Sequence, residues 1–238
     1  MKRKVQSLEA VEALAFDMFG TVVDWRTGVI KAGRQAQDRT GISADWESFA
    51  DDWRCGYEPA MEEVRSGRRP FELIDVLHRE ILDRLLADRG MHFSAVDRAW
   101  FNNVWHRLPA WSDMHLGLEK LKRKFIVCAL SNGNVSLLED LASYNSLSFD
   151  HVISAEHARS YKPQSAVYET AAARIGISPE KILMVAAHDE DLLGARSTGF
   201  RTAFLQRPDE LGEGKGSEVP KIQHDADVIS CTALAEIL

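Results

Sequence analysis

Apolar residues follow two rhythms along this chain, and the rhythm changes near residue 25 and again near residue 108. The first run, Ala13 to Phe16, is short and wholly apolar and leads into Asp17, Gly20 and Thr21. That is the pattern of a buried strand delivering an acid into a turn. From Trp25 to about Trp105 the spacing becomes helical: Trp46, Phe49, Trp53 and Tyr57 recur three or four apart, as do Leu73, Leu77, Ile81 and Leu85, among many charges. This stretch predicts a block of helices with no strong strand in it.

After Pro109, helix and strand patterns alternate. A helix over Leu116 to Lys124 is followed by the apolar run Phe125 to Leu130, which ends in Ser131-Asn132-Gly133-Asn134. A helix from Val135 to Tyr144 then leads to a strand at His151 to Ser154, and a helix from Ala166 to Ile175 leads to a strand at Ile182 to Ala187. The latter ends in His188-Asp189-Glu190-Asp191. Leu192 to Gly199 reads as helix, Thr202 to Leu205 and Ala226 to Ile229 as strands, and a last helix closes the chain. Such alternation predicts a doubly wound α/β fold, a parallel sheet covered on both faces. Ligands of such sheets sit outside the carboxyl ends of the strands, where the polar clusters of this sequence fall. Pro208 to Gln223, rich in glycine and charge, reads as a surface loop.

Composition narrows the function classes. The chain has 238 residues, enough for one large domain or a core domain with a smaller insertion. A net charge of −7 with both signs mixed along the sequence offers no basic face for a phosphate backbone, so nucleic acid is not an expected partner. An acidic protein that handles an anion must instead build a local positive pocket from a few Arg and Lys. Cys55, Cys128 and Cys231 are far apart and form no Cys-x-x-Cys pair, which suggests neither a disulfide framework nor a zinc site and fits a reducing cytoplasm. Glu9 and Glu12 interrupt the first apolar run, and no later stretch is long enough to span a bilayer, so neither export nor a membrane is expected.

The candidate site residues each have a blander explanation. An acid at a strand end, as Asp17 is, serves equally well as a turn former. Ser131 and Asn132 fit a turn that caps the next helix. Lys162, before Pro163, could be a solvated surface lysine. Asp191 suits the positive end of a helix. Arg54, beside Trp53 and Tyr57, could snorkel or pair with Asp51 or Asp52. A lone strand-end histidine such as His188 is commonly just hydrogen-bonded, and His78, His106 and His115 lack metal-ligand spacing. The weight lies in their order, because Asp, Ser-Asn, Lys and Asp fall on successive strand-end regions of one predicted sheet.

Four ordered motifs carry a resemblance: Phe16-Asp17-Met18-Phe19-Gly20-Thr21-Val22-Val23-Asp24, then Leu130-Ser131-Asn132-Gly133-Asn134, then Tyr161-Lys162-Pro163 with Tyr168 following, then Met184 through Arg196. Together they resemble the haloacid dehalogenase superfamily, and closely its L-2-haloacid dehalogenase (type II) branch, nearly end to end. The resemblance implies a Rossmann-like core over residues 1–24 and 108–238, with residues 25–107 inserted as a helical cap. Most of the superfamily are magnesium-dependent phosphatases with an Asp-x-Asp first motif and an acid at the end of the fourth strand. Here Phe19 holds the third position and Ala186 or Ala187 the strand end, so magnesium would lack two oxygen ligands and the site is expected to need no metal or other cofactor.

The dehalogenase branch implies that Asp17 displaces halide from the α-carbon of a small 2-haloalkanoic acid and that water hydrolyses the aspartyl ester to a 2-hydroxy acid. By the same resemblance Lys162 orients Asp17, while Thr21 and Ser131 bond it or the substrate carboxylate. Arg54 and Asn132 receive the halide beside Phe19, Asp191 places the water, and Tyr168 packs and bonds nearby. One departure stands out: the branch commonly has Ser-Ser-Asn before the fourth-motif acid, where this chain has Ala186-Ala187-His188. His188 then either positions water or contacts substrate and halide in a reshaped pocket. Trp105, His106 and Trp111, on the return from the helical block, could add to that pocket. Fluoroacetate is one substrate this would suit. The alternatives are a magnesium-dependent phosphatase of the same superfamily and a binding protein that has lost turnover. The resembling family commonly forms homodimers.

Overall fold

A computed structural model describes residues 8–216 and 219–238. Among them, strands β1 (Ala13–Phe16), β2 (Ile126–Ser131), β3 (His151–Ser154), β4 (Ile182–Ala186), β5 (Arg201–Leu205) and β6 (Ala226–Val228) form one parallel sheet in the order β3-β2-β1-β4-β5-β6. Successive strand residues point to opposite faces. Leu14, Phe16, Val127, Ala129, Leu183 and Val185 join one apolar core, and Ala13, Ala15, Cys128, Leu130, Met184 and Ala186 join the other. Burial on both faces explains why these strands read as continuous apolar runs rather than alternating ones.

Between β1 and β2 the chain is helical: α1 (Trp25–Thr40), α2 (Trp46–Cys55), α3 (Tyr57–Arg65), α4 (Ile74–Asp88) and α5 (Ala95–Asn102), then a 3₁₀ turn at Asn103–His106 and α6 (Met114–Leu121). Asp24 caps α1 by accepting from Thr27 N–H, and Asp45 caps α2, because the first N–H groups of a helix have no partner within it. An aromatic cluster of Trp46, Phe49, Trp53, Phe101 and Trp105 forms the centre of this block. The outgoing and returning chains run side by side, with Asp24 N–H donating to Pro109 O and Trp111 N–H to Val22 O.

The remaining helices are α7 (Val135–Tyr144), α8 (Ala155–Ala158), α9 (Ser165–Ile175), α10 (Asp189–Ser197) and α11 (Cys231–Ile237). Two helices depart from the expected spans. The helix expected over Leu116 to Lys124 starts at Met114 and stops at Leu121, after which Lys124 N–H and Phe125 N–H turn back onto Leu121 O. The helix expected from Leu192 begins at Asp189, since an Asp-Glu-Asp first turn suits the positive helix end. The described residues of Pro208 to Gln223 are largely exposed, as expected of a surface loop, with the exception of Glu210, which is buried and bonds His188 at the end of β4. No helix among the described residues is long and apolar enough to cross a membrane.

Candidate active site

β1 lies at the centre of the sheet, where the strand order reverses between β1 and β4, and it delivers Asp17 into the crevice at that point. Asp17 N–H donates to Val185 O, which extends the β1–β4 register by one residue and fixes the acid beside the end of β4. Asp17 is 6 % exposed. Its Oδ1 accepts from Lys162 Nζ at 2.9 Å and its Oδ2 from the Thr21 hydroxyl at 2.8 Å. Thr21 is itself aimed, since its Oγ1 accepts Ala187 N–H at 2.9 Å.

Lys162 is 5 % exposed and sits among acceptors: Asp17, the carbonyl of Leu130 at 3.0 Å, and Asp191 Oδ2. The solvated-lysine reading therefore fails. Tyr168 donates its hydroxyl to Asp191 Oδ1 at 2.7 Å. One cation thus faces two buried carboxylates, and the two acids diverge. Burial pushes both up. At Asp17 the Lys162 charge and the His188 contact more than offset burial and hold the acid well below the usual carboxylate range. At Asp191 burial prevails over Lys162, reinforced by the charge of Asp17, and the acid is raised. Lys162 is driven above its ordinary value, because the charges of Asp17 and Asp191 outweigh the burial that opposes them.

A cavity of about 410 Å³ opens in front of Asp17, with Phe19, Arg54, Asn132, Lys162 and His188 in its wall. Arg54 has neither of its expected carboxylate partners: Asp51 is engaged by Arg26 and Asp52 by Arg89. Its guanidinium instead lies 4.4 Å from the Tyr57 ring centroid and 5.6 Å from that of Trp25, in cation–π contact with both. Asn132 Oδ1 accepts Lys162 N–H at 2.8 Å and its amide donates to Met61 Sδ at 3.3 Å. Phe19 is buried edge-on against Tyr57, His78 and Trp105.

Not every candidate converges on Asp17. Ser131 Oγ accepts Gly133 N–H at 3.3 Å and makes no bond to the Asp17 carboxylate. Trp105 lies behind Phe19, Trp111 donates to Gly20 O, and His106 sits between Asp75 and Asp140, so none of the three lines the cavity. Residues missed in the sequence also belong here. Glu210 accepts from His188 Nε2 at 2.9 Å and from Trp25 Nε1 at 3.1 Å, and Arg207 anchors its loop by donating to Thr21 O. No local pattern marks Glu210, whose contact with Trp25 spans 185 positions.

A buried, ionised carboxylate is thus fixed by a lysine and a threonine at the switch point of a doubly wound sheet, the framework of a hydrolase. The family model of haloacid dehalogenase-like hydrolases matches residues 11–199, and the chain belongs to that family. A solved defluorinating L-2-haloacid dehalogenase aligns with a TM-score of 0.92 at 38% identity, covering 95% of this chain and 94% of its own. The (S)-2-haloacid dehalogenase of Pseudomonas sp. (strain YL) is 27% identical over 234 residues, 97% of this chain and 95% of that protein. Haloacetate dehalogenase H-2 of Moraxella sp. (strain B) is 27% identical over 226 residues, 90% of this chain and 95% of that protein.

Proposed function

We propose that this protein hydrolyses small 2-haloalkanoic acids to 2-hydroxyalkanoic acids through an ester on Asp17. The observation that carries the reading is the Asp17 carboxylate, buried yet held ionised by Lys162 at 2.9 Å. A carboxylate is a weak nucleophile in water and a better one when desolvated and aimed. Attack at the α-carbon expels halide on the opposite side, toward the wall that carries Arg54, Asn132 and Phe19. A guanidinium and an amide stabilise the charge that develops there. Asp191, raised above an ordinary carboxylate, suits the task of taking a proton from the hydrolytic water. We assign the helices of residues 25–107 the role of a cap that brings Arg54 to the site and excludes water.

A magnesium-dependent phosphatase is less well supported by the same residues. Phe19 places an aromatic ring where a second acid would stand, and Ala186 ends β4 with Ala187 following it. Asp189, in the cavity wall, has its oxygens engaged with His224 Nε2 at 2.8 Å and Lys221 N–H at 2.9 Å. Asp17 and Asp191 already share Lys162, which leaves a hard cation few of the oxygen ligands it requires.

The deciding experiment measures halide release from chloroacetate, fluoroacetate and both enantiomers of 2-chloropropionate, with and without a chelator. Chelator-independent halide release is the expected result. No halide from any of them overturns the reading, and chelator-sensitive phosphate release from phosphate esters favours the phosphatase. Similarity to a defluorinating enzyme makes fluoroacetate the most informative of the four.

A further inference from the structure

We propose that the Glu210–His188 pair serves the second half of the reaction: His188, held by Glu210, donates from Nδ1 to the carbonyl oxygen of the Asp17 ester while water attacks the carbonyl carbon. The proposal rests on the ester reading above. In it His188 is a catalytic residue and Glu210 a positioning residue.

The geometry separates the two oxygens of Asp17. Oδ2 has two donors near it, the Thr21 hydroxyl at 2.8 Å and His188 Nδ1 at 3.5 Å, whereas Oδ1 has, among the described residues, the Lys162 ammonium alone. The less saturated Oδ1 is the one free to attack, and Oδ2 becomes the ester carbonyl. His188 Nε2 lies 2.9 and 3.0 Å from the two oxygens of Glu210, which fixes the ring with its other nitrogen toward Asp17. Glu210 is 4 % exposed, and such a burial without a partner for its charge would be costly. Gly20 is what admits it: a Cβ there would collide with Glu210 Oε1 and stand 2.9 Å from His188 Cε1.

The charge state decides between an acid and a base. Burial lowers the His188 pKa, but the charge of Glu210 and the contacts with both carboxylates overcome it and push it up to about 10. The other charged groups around the cavity are Arg54 on α2, Glu58 on α3, Lys162 before α9, Asp189, Glu190 and Asp191 on α10, and Lys221; Glu58 is paired with Arg65. Lys162 and Asp191 offset each other, Asp189 is paired with His224, and Arg54 opposes a second cation. Esterification removes the contribution of Asp17 but leaves Glu210, whose charge is the largest of the influences that raise His188, so the protonated ring is still favoured in the ester. A protonated ring has no lone pair with which to accept a proton from water. It can stabilise the oxyanion.

The step balances. The water oxygen bonds to Cγ of Asp17, one water proton passes to Asp191, and the carbonyl electrons move onto Oδ2 between Thr21 and His188. Collapse restores the carbonyl and breaks the Cγ–Oδ1 bond. The departing 2-hydroxy acid oxygen takes the proton from Asp191, and Asp17 then loses its own proton to solvent.

The test uses rapid-quench kinetics with chloroacetate on Glu210→Gln and His188→Leu, following chloride and the protein-bound ester by intact mass. The first equivalent of chloride should be slowed far less than the ester hydrolysis that follows it. Turnover should then slow by about a hundredfold as the ester accumulates. In Glu210→Gln the His188 pKa falls back toward its ordinary value, so ester hydrolysis should decline between about pH 6 and pH 8, where the unaltered enzyme is flat. The glutamine side chain retains the volume of Glu210 and an acceptor for Trp25, so this variant carries the test even if His188→Leu does not fold. Equal loss of chloride release and ester hydrolysis, or an unaltered pH profile in Glu210→Gln, overturns the proposal. If the unaltered enzyme releases no chloride at all, the ester reading falls and takes this one with it.

Discussion

Arg65, on the third helix of the inserted block, donates from Nη1 to the backbone carbonyl of Lys162 at 3.0 Å, across 97 positions of sequence. Two further bonds tie the same segments together: Gln164 Nε2 to Arg65 O and the Tyr161 hydroxyl to Glu72 O. The helical block therefore grips the loop that carries Lys162 on both sides of that residue. Replacing Arg65 with Met keeps much of its bulk and removes the grip. The expected result is about a tenfold fall in kcat with a loss of ~1 kcal/mol in stability, read by halide release and urea unfolding.

Asp17→Asn removes the oxygen that we propose attacks the substrate while keeping the shape. Halide release should fall by at least about a thousandfold, because residues that form one covalent step fail together. Single-turnover reaction of the unaltered protein in heavy-oxygen water should leave label on Asp17. Label in the product alone would mean that water attacks the substrate directly.

The pH profile follows from Lys162. Asp17 is held below its ordinary value, so its ionised form is favoured above that value and lost only as pH falls through the lower folded one. The acid limb of the first chemical step should accordingly lie below the ordinary carboxylate pKa of ~4. In Lys162→Met burial still raises Asp17 but the main opposing charge is gone, so the limb should move above ~4. Chloride burst rates across acidic buffers check both positions.

Arg54→Lys keeps the charge and loses the flat guanidinium that lies 4.4 Å over Tyr57. A lysine cannot stack in that way or present the same fork of donors. We expect kcat/KM to drop by about ten- to a hundredfold, since groups that stabilise developing charge act mainly in the transition state. An unchanged kcat/KM would place the halide elsewhere.

Gly20 has a φ of +84°, and a Cβ on it would collide with Glu210. Gly20→Ala should cost ~1–3 kcal/mol. Adding Glu210→Ala should recover the part due to collision and leave the backbone strain, a difference that a double-mutant cycle in urea measures.

The strands were legible because burial on both faces leaves long apolar runs such as Ile182 to Ala186, and the helical block because its aromatic residues recur at helical spacing. Asp17, Thr21, Lys162 and Asp191 were legible because they follow strand ends in a fixed order. The structure brings these four side chains together in one hydrogen-bonded chain, Thr21 to Asp17 to Lys162 to Asp191. Glu210 and Arg65 were not legible. Periodicity registers regular elements, whereas Glu210 enters from an irregular loop whose charge and glycine content are those of a solvated segment. Arg65 looks like any exposed helical arginine until the tertiary structure sets Lys162 beside it. Ser131 follows its blander reading as a turn residue, its hydroxyl accepting Gly133 N–H.

The space beside Gly20 ties two distant parts of the chain to one another. A Cβ at position 20 would overlap the Glu210 carboxylate where it now sits, so a larger residue there is accommodated only if the acid swings off His188. The smallness of one residue in the turn after β1 thus sets which partner a histidine at the end of β4 can keep.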